Sequence, residues 1–222
     1  MPTASAATET KPKPLRADAQ RNRDRLVAAG REVFAERGFD ASLDEVARHA
    51  GVGVGTAYRR FPNKEALIDE IFEERMREIT TVLEQAVALG DPWEGLQLFI
   101  ADMLRGQAQD RGLKQAFHER DSSRHRVTEA KAVIEPMITE LIERSQAAGK
   151  LRTDITVTDV MVAVMMVGSV IDATRDVRPD AWRRYLVLAL DGLAANKGDA
   201  GELPVPALTP EELDEALRCG KF

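Results

Sequence analysis

The stretch SLDEVARHAGVGVGTAYRRFPNKEAL, residues 42–67, decides the fold. Ser42-Leu43-Asp44-Glu45 reads as a capping box, in which the serine hydroxyl accepts from the Glu45 amide and Glu45 reaches back to the amide of Ser42. It opens a short helix running to Ala50. Gly51-Val52-Gly53 is a tight turn, with Gly51 reversing the chain and Val52 filling the elbow. A further short helix spans about Val54 to Phe61, stopped by Pro62, and Asn63 caps a long helix that follows. Val46 and Ala47 face inward, whereas Thr56, Tyr58 and Arg59 project outward.

Upstream, Leu26, Ala29, Val33 and Phe34 follow helical spacing, so Ala17 to Arg37 reads as an amphipathic helix stopped by Gly38. Three helices with this turn form a helix-turn-helix module, whose second short helix enters the DNA major groove. Gly53 and Gly55 remove side chains where backbone must approach phosphate. The Arg59 guanidinium can pair bidentately with a guanine edge, and the Thr56 and Tyr58 hydroxyls suit phosphates or a thymine methyl. Val46 to Lys64 carries Arg48, Arg59, Arg60 and Lys64 without one acidic residue, as a surface facing phosphates requires. The net charge of −6 hides this: through Glu65, 12 Lys and Arg against 9 Asp and Glu leave +3, and the remainder, 19 against 28, leaves −9.

The run from Phe39 to Leu67 closely resembles the TetR family of transcriptional regulators. The resemblance rests on the Ala35-Glu36-Arg37-Gly38-Phe39 helix end, the Val46-Ala47 to Ala50-Gly51-Val52 turn, the Gly55-Thr56-Ala57-Tyr58 helix, and Phe61, Asn63-Lys64-Glu65 and Leu67 leading into the fourth helix. It covers about Asp24 to Phe72. It implies that Ser42, Tyr58 and Lys64 contact phosphates while Val54, Gly55, Thr56 and Arg59 face bases. The expected DNA-binding set is thus Ser42, Gly53, Val54, Gly55, Thr56, Tyr58, Arg59, Arg60 and Lys64. Arg59-Arg60 replaces the His or Tyr often found in the family, and Val54 a common polar residue, so base preference is not implied.

From Lys64 onward the pattern is helical throughout, predicting an all-α chain: a disordered basic arm over 1–16, the helix-turn-helix domain over 17–63, a larger helical regulatory and dimerisation domain over 64–196, and a linker with a short helix over 197–222. Later helices are expected at Trp93 to Gln109, Leu113 to His118, Val127 to Ala148, Thr158 to Thr174 and Pro179 to Ala195. Thr209-Pro210-Glu211-Glu212 supplies the start of the last one, which Leu213 and Leu217 would dock. Trp93, Phe99, Met103, Phe117, Val133, Met137 and Leu141 are candidates to line a pocket for a small apolar or amphipathic effector, and equally candidates for plain core.

Val160 to Ile171 is apolar on nearly every face, as in a helix buried against its own domain and a partner. Val160, Val164, Gly168, Ile171, Trp182, Leu186 and Leu190 are the expected interface of a homodimer. The resemblance adds that the last two long helices form a four-helix bundle with the partner. Dimerisation also suits DNA, because two recognition helices about 34 Å apart read a palindrome.

Other classes find little support. His118, Glu119, Asp121 and His125 lack metal-ligand spacing, His49 is expected at solvent or the fourth helix, and Cys219 is a lone exposed thiol. No nucleotide loop or nucleophile elbow occurs, so neither enzyme nor cofactor is expected. The start has no apolar h-region and Val160 to Ile171 is too short to span a bilayer, which predicts a cytoplasmic protein without membrane attachment. The reading is a sequence-specific double-stranded-DNA-binding repressor released from a palindromic operator by a small molecule. An inducer would tilt the fourth helix and change the separation of the two recognition helices. The alternatives are an activator, or a helical small-molecule- or metal-binding protein or enzyme with a vestigial helix-turn-helix.

Overall fold

The computed structural model describes residues 14–109, 121–195 and 203–219. Helix α1 spans Pro14–Arg37, α2 Leu43–His49, α3 Val54–Arg60, α4 Lys64–Ala88, α5 Pro92–Gln109, α6 Asp121–Ala147, α7 Val157–Thr174, α8 Trp182–Leu193 and α9 Pro210–Cys219. The one β feature among the described residues is an isolated antiparallel bridge between Leu151 and Ala194. The helices expected at Leu113 to His118 and the arm before Pro14 lie outside the described residues, as do Phe117 and the side chains of His125, Leu217 and Cys219.

Local chemistry explains most boundaries. The Ala66 amide donates to Asn63 Oδ1 at 2.8 Å, capping α4. Thr209 and Glu212 bond reciprocally at the start of α9, the Glu212 amide to Thr209 Oγ1 at 3.2 Å and the Thr209 amide to Glu212 Oε2 at 2.8 Å. Helix α1 begins three residues before the expected Ala17, at Pro14, a residue suited to a first helical turn. Helix α8 starts at Trp182 rather than Pro179 because Arg178 to Ala181 close a separate turn, with the Ala181 amide on the Arg178 carbonyl at 3.1 Å.

The chain forms two compact units, Met1–Ile71 and Phe72–Phe222, and α4 runs through the boundary. In the N-terminal unit α1 packs on α2 and α2 on α3, around buried Leu26, Val33, Phe34, Val46, Ala57 and Phe61. The boundary falls later than residue 63 because Leu67, Ile68 and Ile71 of α4 are buried. Gly30 of α1 leaves room for them: a Cβ there would lie 2.8 Å from Ile71 Cδ1. Arg23 of α1 pairs with Glu70 of α4 in the same unit.

The C-terminal unit encloses one apolar core drawn from α4 to α8, with Leu83, Phe99, Leu141, Val160 and Trp182 near its centre. Gly95 lets α5 close on α4, since a Cβ there would overlap the Ala86 carbonyl oxygen. Helix α7 has 18 residues and is long and apolar enough to cross a membrane by length and composition. Its bounds lie within one residue of the expected Thr158 to Thr174, and the Val160 to Ile171 run that was measured against a bilayer is only the inner part of it. Its Val160, Val164, Val167 and Ile171 fill the core.

Residues 203–219 do more than link. The Thr158 hydroxyl donates to the Leu208 carbonyl at 2.7 Å, the Leu203 amide reaches Asp154 Oδ2 at 3.4 Å, and Leu213 of α9 is buried. The tail is thereby held against the start of α7.

Candidate nucleic-acid interface

The helix-turn-helix is built from the cap outward. Ser42 Oγ accepts from the Glu45 amide at 3.3 Å, while Glu45 Oε2 accepts from the Ser42 amide at 2.7 Å and hydroxyl at 2.9 Å. Those bonds, backbone first, hold the Glu45 carboxyl below its ordinary range. Arg37 adds an ion pair to Glu45 at 3.3 Å. The turn reverses at Gly51, whose φ of +64° belongs to the left-handed region that favours glycine. Val52 packs into the elbow, 7% exposed, and its amide donates to the Ala47 carbonyl at 2.9 Å.

Helix α3 buries Ala57 and presents the rest. Gly53, Val54, Gly55, Tyr58, Arg59 and Arg60 are exposed and Thr56 is half-buried. Among the described residues, nothing beyond its own helix lies within 4 Å of a Cβ built on Gly55, so packing there does not demand glycine. Arg59 lies along its own helix, Nε on the Gly55 carbonyl at 3.2 Å and Nη2 on Thr56 Oγ1 at 3.0 Å. Arg60 stacks over the Phe61 ring at 5.6 Å. Lys64 is half-buried at the first turn of α4.

Two partnerships were invisible in the sequence. The Asp44 carboxylate of α2, beside Tyr58, holds the phenol above its ordinary range. His49 is exposed, one of its two expected settings, and its Nε2 lies 2.6 Å from Glu32 Oε2 of α1. Residues 14 and 17 positions apart meet only through the fold; the acidic residue of the Asp44 pair sits just outside the stretch read as free of acids.

The other expected sites are distributed differently. Phe99 and Leu141 are 2% and 0% exposed within the core, Trp93, Met103 and Met137 pack half-buried against it, and Val133 is 55% exposed. The described surface offers an open groove of about 410 Å³ along α6, lined by Ala132, Glu135, Pro136, Thr139, Glu140 and Glu143, none of which was expected. The interface expectation needs correction. Val160, Val164, Ile171, Trp182 and Leu186 already lie in this chain's own core, Leu190 packs half-buried against it, and Gly168 is covered by the Gln107 amide. A partner cannot cover surface that is already buried. The apolar side chains left exposed on α7 and α8 are Met166, Tyr185, Val187 and Leu188.

Comparison with known proteins agrees with this architecture. Residues 26–71 match the family described as bacterial regulatory proteins, tetR family, and residues 91–195 match the C-terminal domain of SbtR-like transcriptional regulators. A TetR transcription regulatory protein from Mycobacterium vanbaalenii is 34% identical, with 82% of this chain and 99% of that one covered and a TM-score of 0.57. A TetR transcriptional regulator from Streptomyces coelicolor is 30% identical over 78% of this chain and 99% of that one, with a TM-score of 0.59. UidR of Escherichia coli K12, an HTH-type transcriptional regulator, is 40% identical over 58 residues, which are 26% of this chain and 30% of UidR. The matched stretch therefore spans less than a third of that relative. An all-α chain with an N-terminal helix-turn-helix and a larger helical unit belongs to the helix-turn-helix class of regulators. Within that class, the chain belongs to the TetR family.

Proposed function

We propose that the protein is a sequence-specific transcriptional repressor that binds a palindromic operator as a homodimer and is released by a small molecule. The observation that carries this reading is the outward face of α3, where Gly55, Tyr58 and Arg59 stand exposed on a helix held by a capped α2 and a glycine turn. Arg59 has the donors for a guanine edge, Ser42, Tyr58, Arg60 and Lys64 those for phosphates, and Gly53, Val54, Gly55 and Thr56 bring the helix close to the bases. Met166, Tyr185, Val187 and Leu188 supply apolar surface for a second copy. Helix α4 is a single helix shared by both units, so an effector held in the C-terminal unit has a continuous element through which to act on DNA affinity. The protein acts in the cytoplasm, by binding rather than by catalysis.

The test is binding to the DNA flanking its own coding region, titrated against salt with a scrambled duplex as control. A specific complex carrying an even number of subunits, whose affinity falls steeply with salt, is expected. Equal affinity for the scrambled duplex, repeated in a selection from random duplexes, would refute the reading.

A further inference from the structure

Helix α3 opens with Val54 between two glycines that neither the backbone nor the packing calls for. Gly53 has φ −60° and ψ 135° and Gly55 is helical, conformations open to any residue. Among the described residues, a Cβ on Gly53 would meet Thr56 Oγ1 at an ordinary 3.9 Å, and one on Gly55 nothing within 4 Å beyond its own helix. Glycine is a poor helix former, so Gly55 weakens a helix of only seven residues, and no side-chain packing offsets the loss. The gain lies outside the chain. With no side chains at 53 and 55, Val54 protrudes at the start of α3 where another surface can close on it. It is 37% exposed, and Tyr58, one turn further along the same flank, is 47% exposed.

A valine side chain neither donates nor accepts a hydrogen bond. The major groove presents donors and acceptors on every base pair and one apolar group, the C5-methyl of thymine. We propose that Val54 is a specificity-determining residue that reads a thymine methyl at one position in each operator half-site. The inference rests on α3 being the DNA-facing helix. Packing the valine methyls on the thymine methyl takes apolar surface out of water, whereas valine over a cytosine amino group leaves a donor without a partner. Arg59, Thr56 and Tyr58 carry polar groups, so Val54 adds a discrimination that hydrogen bonds do not supply, thymine from uracil.

The experiment selects an operator from random duplexes with the full-length chain and replaces its thymines one at a time by uracil, which keeps every pairing group and lacks the methyl. Affinities are measured for the wild type and for Val54→Ala; alanine is the best helix former, so the variant keeps α3. At one thymine in each half-site, uracil is expected to weaken the wild type about threefold to fivefold. Val54→Ala should lose a similar factor on the thymine operator. Uracil at that position should then cost the variant less than about 1.5-fold, because methyl and side chain act as a pair.

An operator in which no thymine methyl matters overturns the proposal, and so does a uracil effect of equal size in Val54→Ala. Wild-type protein that prefers no selected duplex over a scrambled one refutes the DNA-binding reading itself. The two failures are therefore told apart by the wild type on those two duplexes.

Discussion

Arg59 Nη2 donates to Thr56 Oγ1 at 3.0 Å, one turn back along the same exposed helix, while its Nε holds the Gly55 carbonyl. The guanidinium is folded against the very residues expected beside it at the bases. Exposed bonds of this kind exchange readily with water, so the side chain can swing outward at small cost. Arg59→Ala is expected to cost about 1 to 3 kcal/mol of operator affinity and to relax preference at one base pair. Arg59→Lys should not restore that preference, because an ammonium lacks the planar fork. Binding to a panel of single-base operator variants measures both effects.

Leu188 of α8 is 55% exposed, whereas Trp182 on the same helix is 4% exposed. Leu188→Glu is therefore expected to leave the melting of the isolated subunit within about 0.5 kcal/mol while shifting sedimentation from dimer to monomer and weakening operator binding. Trp182→Ala should instead lose about 3 to 5 kcal/mol of stability. A dimer that survives Leu188→Glu would exclude that face as the interface.

The glycines of α5 and α8 offer a paired test of packing. A Cβ at Gly95 collides with the Ala86 carbonyl, while one at Gly192 meets nothing within 4 Å. Gly95→Ala is expected to destabilise the C-terminal unit by about 1 to 3 kcal/mol. Gly192→Ala, at an open helical position, should stabilise by up to about 1 kcal/mol. Urea melts of the two variants should move in opposite directions.

Acid should release the tail through Asp154. Its side chain takes two bonds from Arg152, at 2.9 and 2.7 Å, and one from the Leu203 amide. The Arg152 hydrogen bonds, more than any other influence, hold the Asp154 carboxyl down at about 2, against an ordinary 3.8. A lowered folded-state value stabilises above the ordinary value, and the contribution disappears as pH falls through the folded one. The stability difference between wild type and Asp154→Asn is thus expected to be complete above about pH 5, to shrink as pH falls, and to be lost near about pH 1, below both values. Denaturant melts across that range test it, and limited proteolysis at neutral pH should cut residues 203–208 faster in Asp154→Asn.

Much of the architecture was legible before any coordinates, because its signals are local. The Ser42–Glu45 and Thr209–Glu212 boxes and the Asn63 cap each close within four residues, and Gly51 needs its positive φ whatever lies around it. Helix α7 was legible only as a helix. Apolar on nearly every side, it has no polar face to orient it, and the residues assigned to a partner proved to be this chain's own core. The pocket expectation met the same limit, since an apolar side chain lining a cavity and one filling a core look alike in sequence.

Residue order by itself determined the helices, their caps and the turn that aims α3, because hydrogen bonds closed within four residues need no distant partner. Tertiary structure alone decided which face of α7 is inside, that Glu32 meets His49, and that the Asp44 carboxylate lies beside Tyr58. Those pairings join different helices, and only the packing of one helix on another brings such groups within reach.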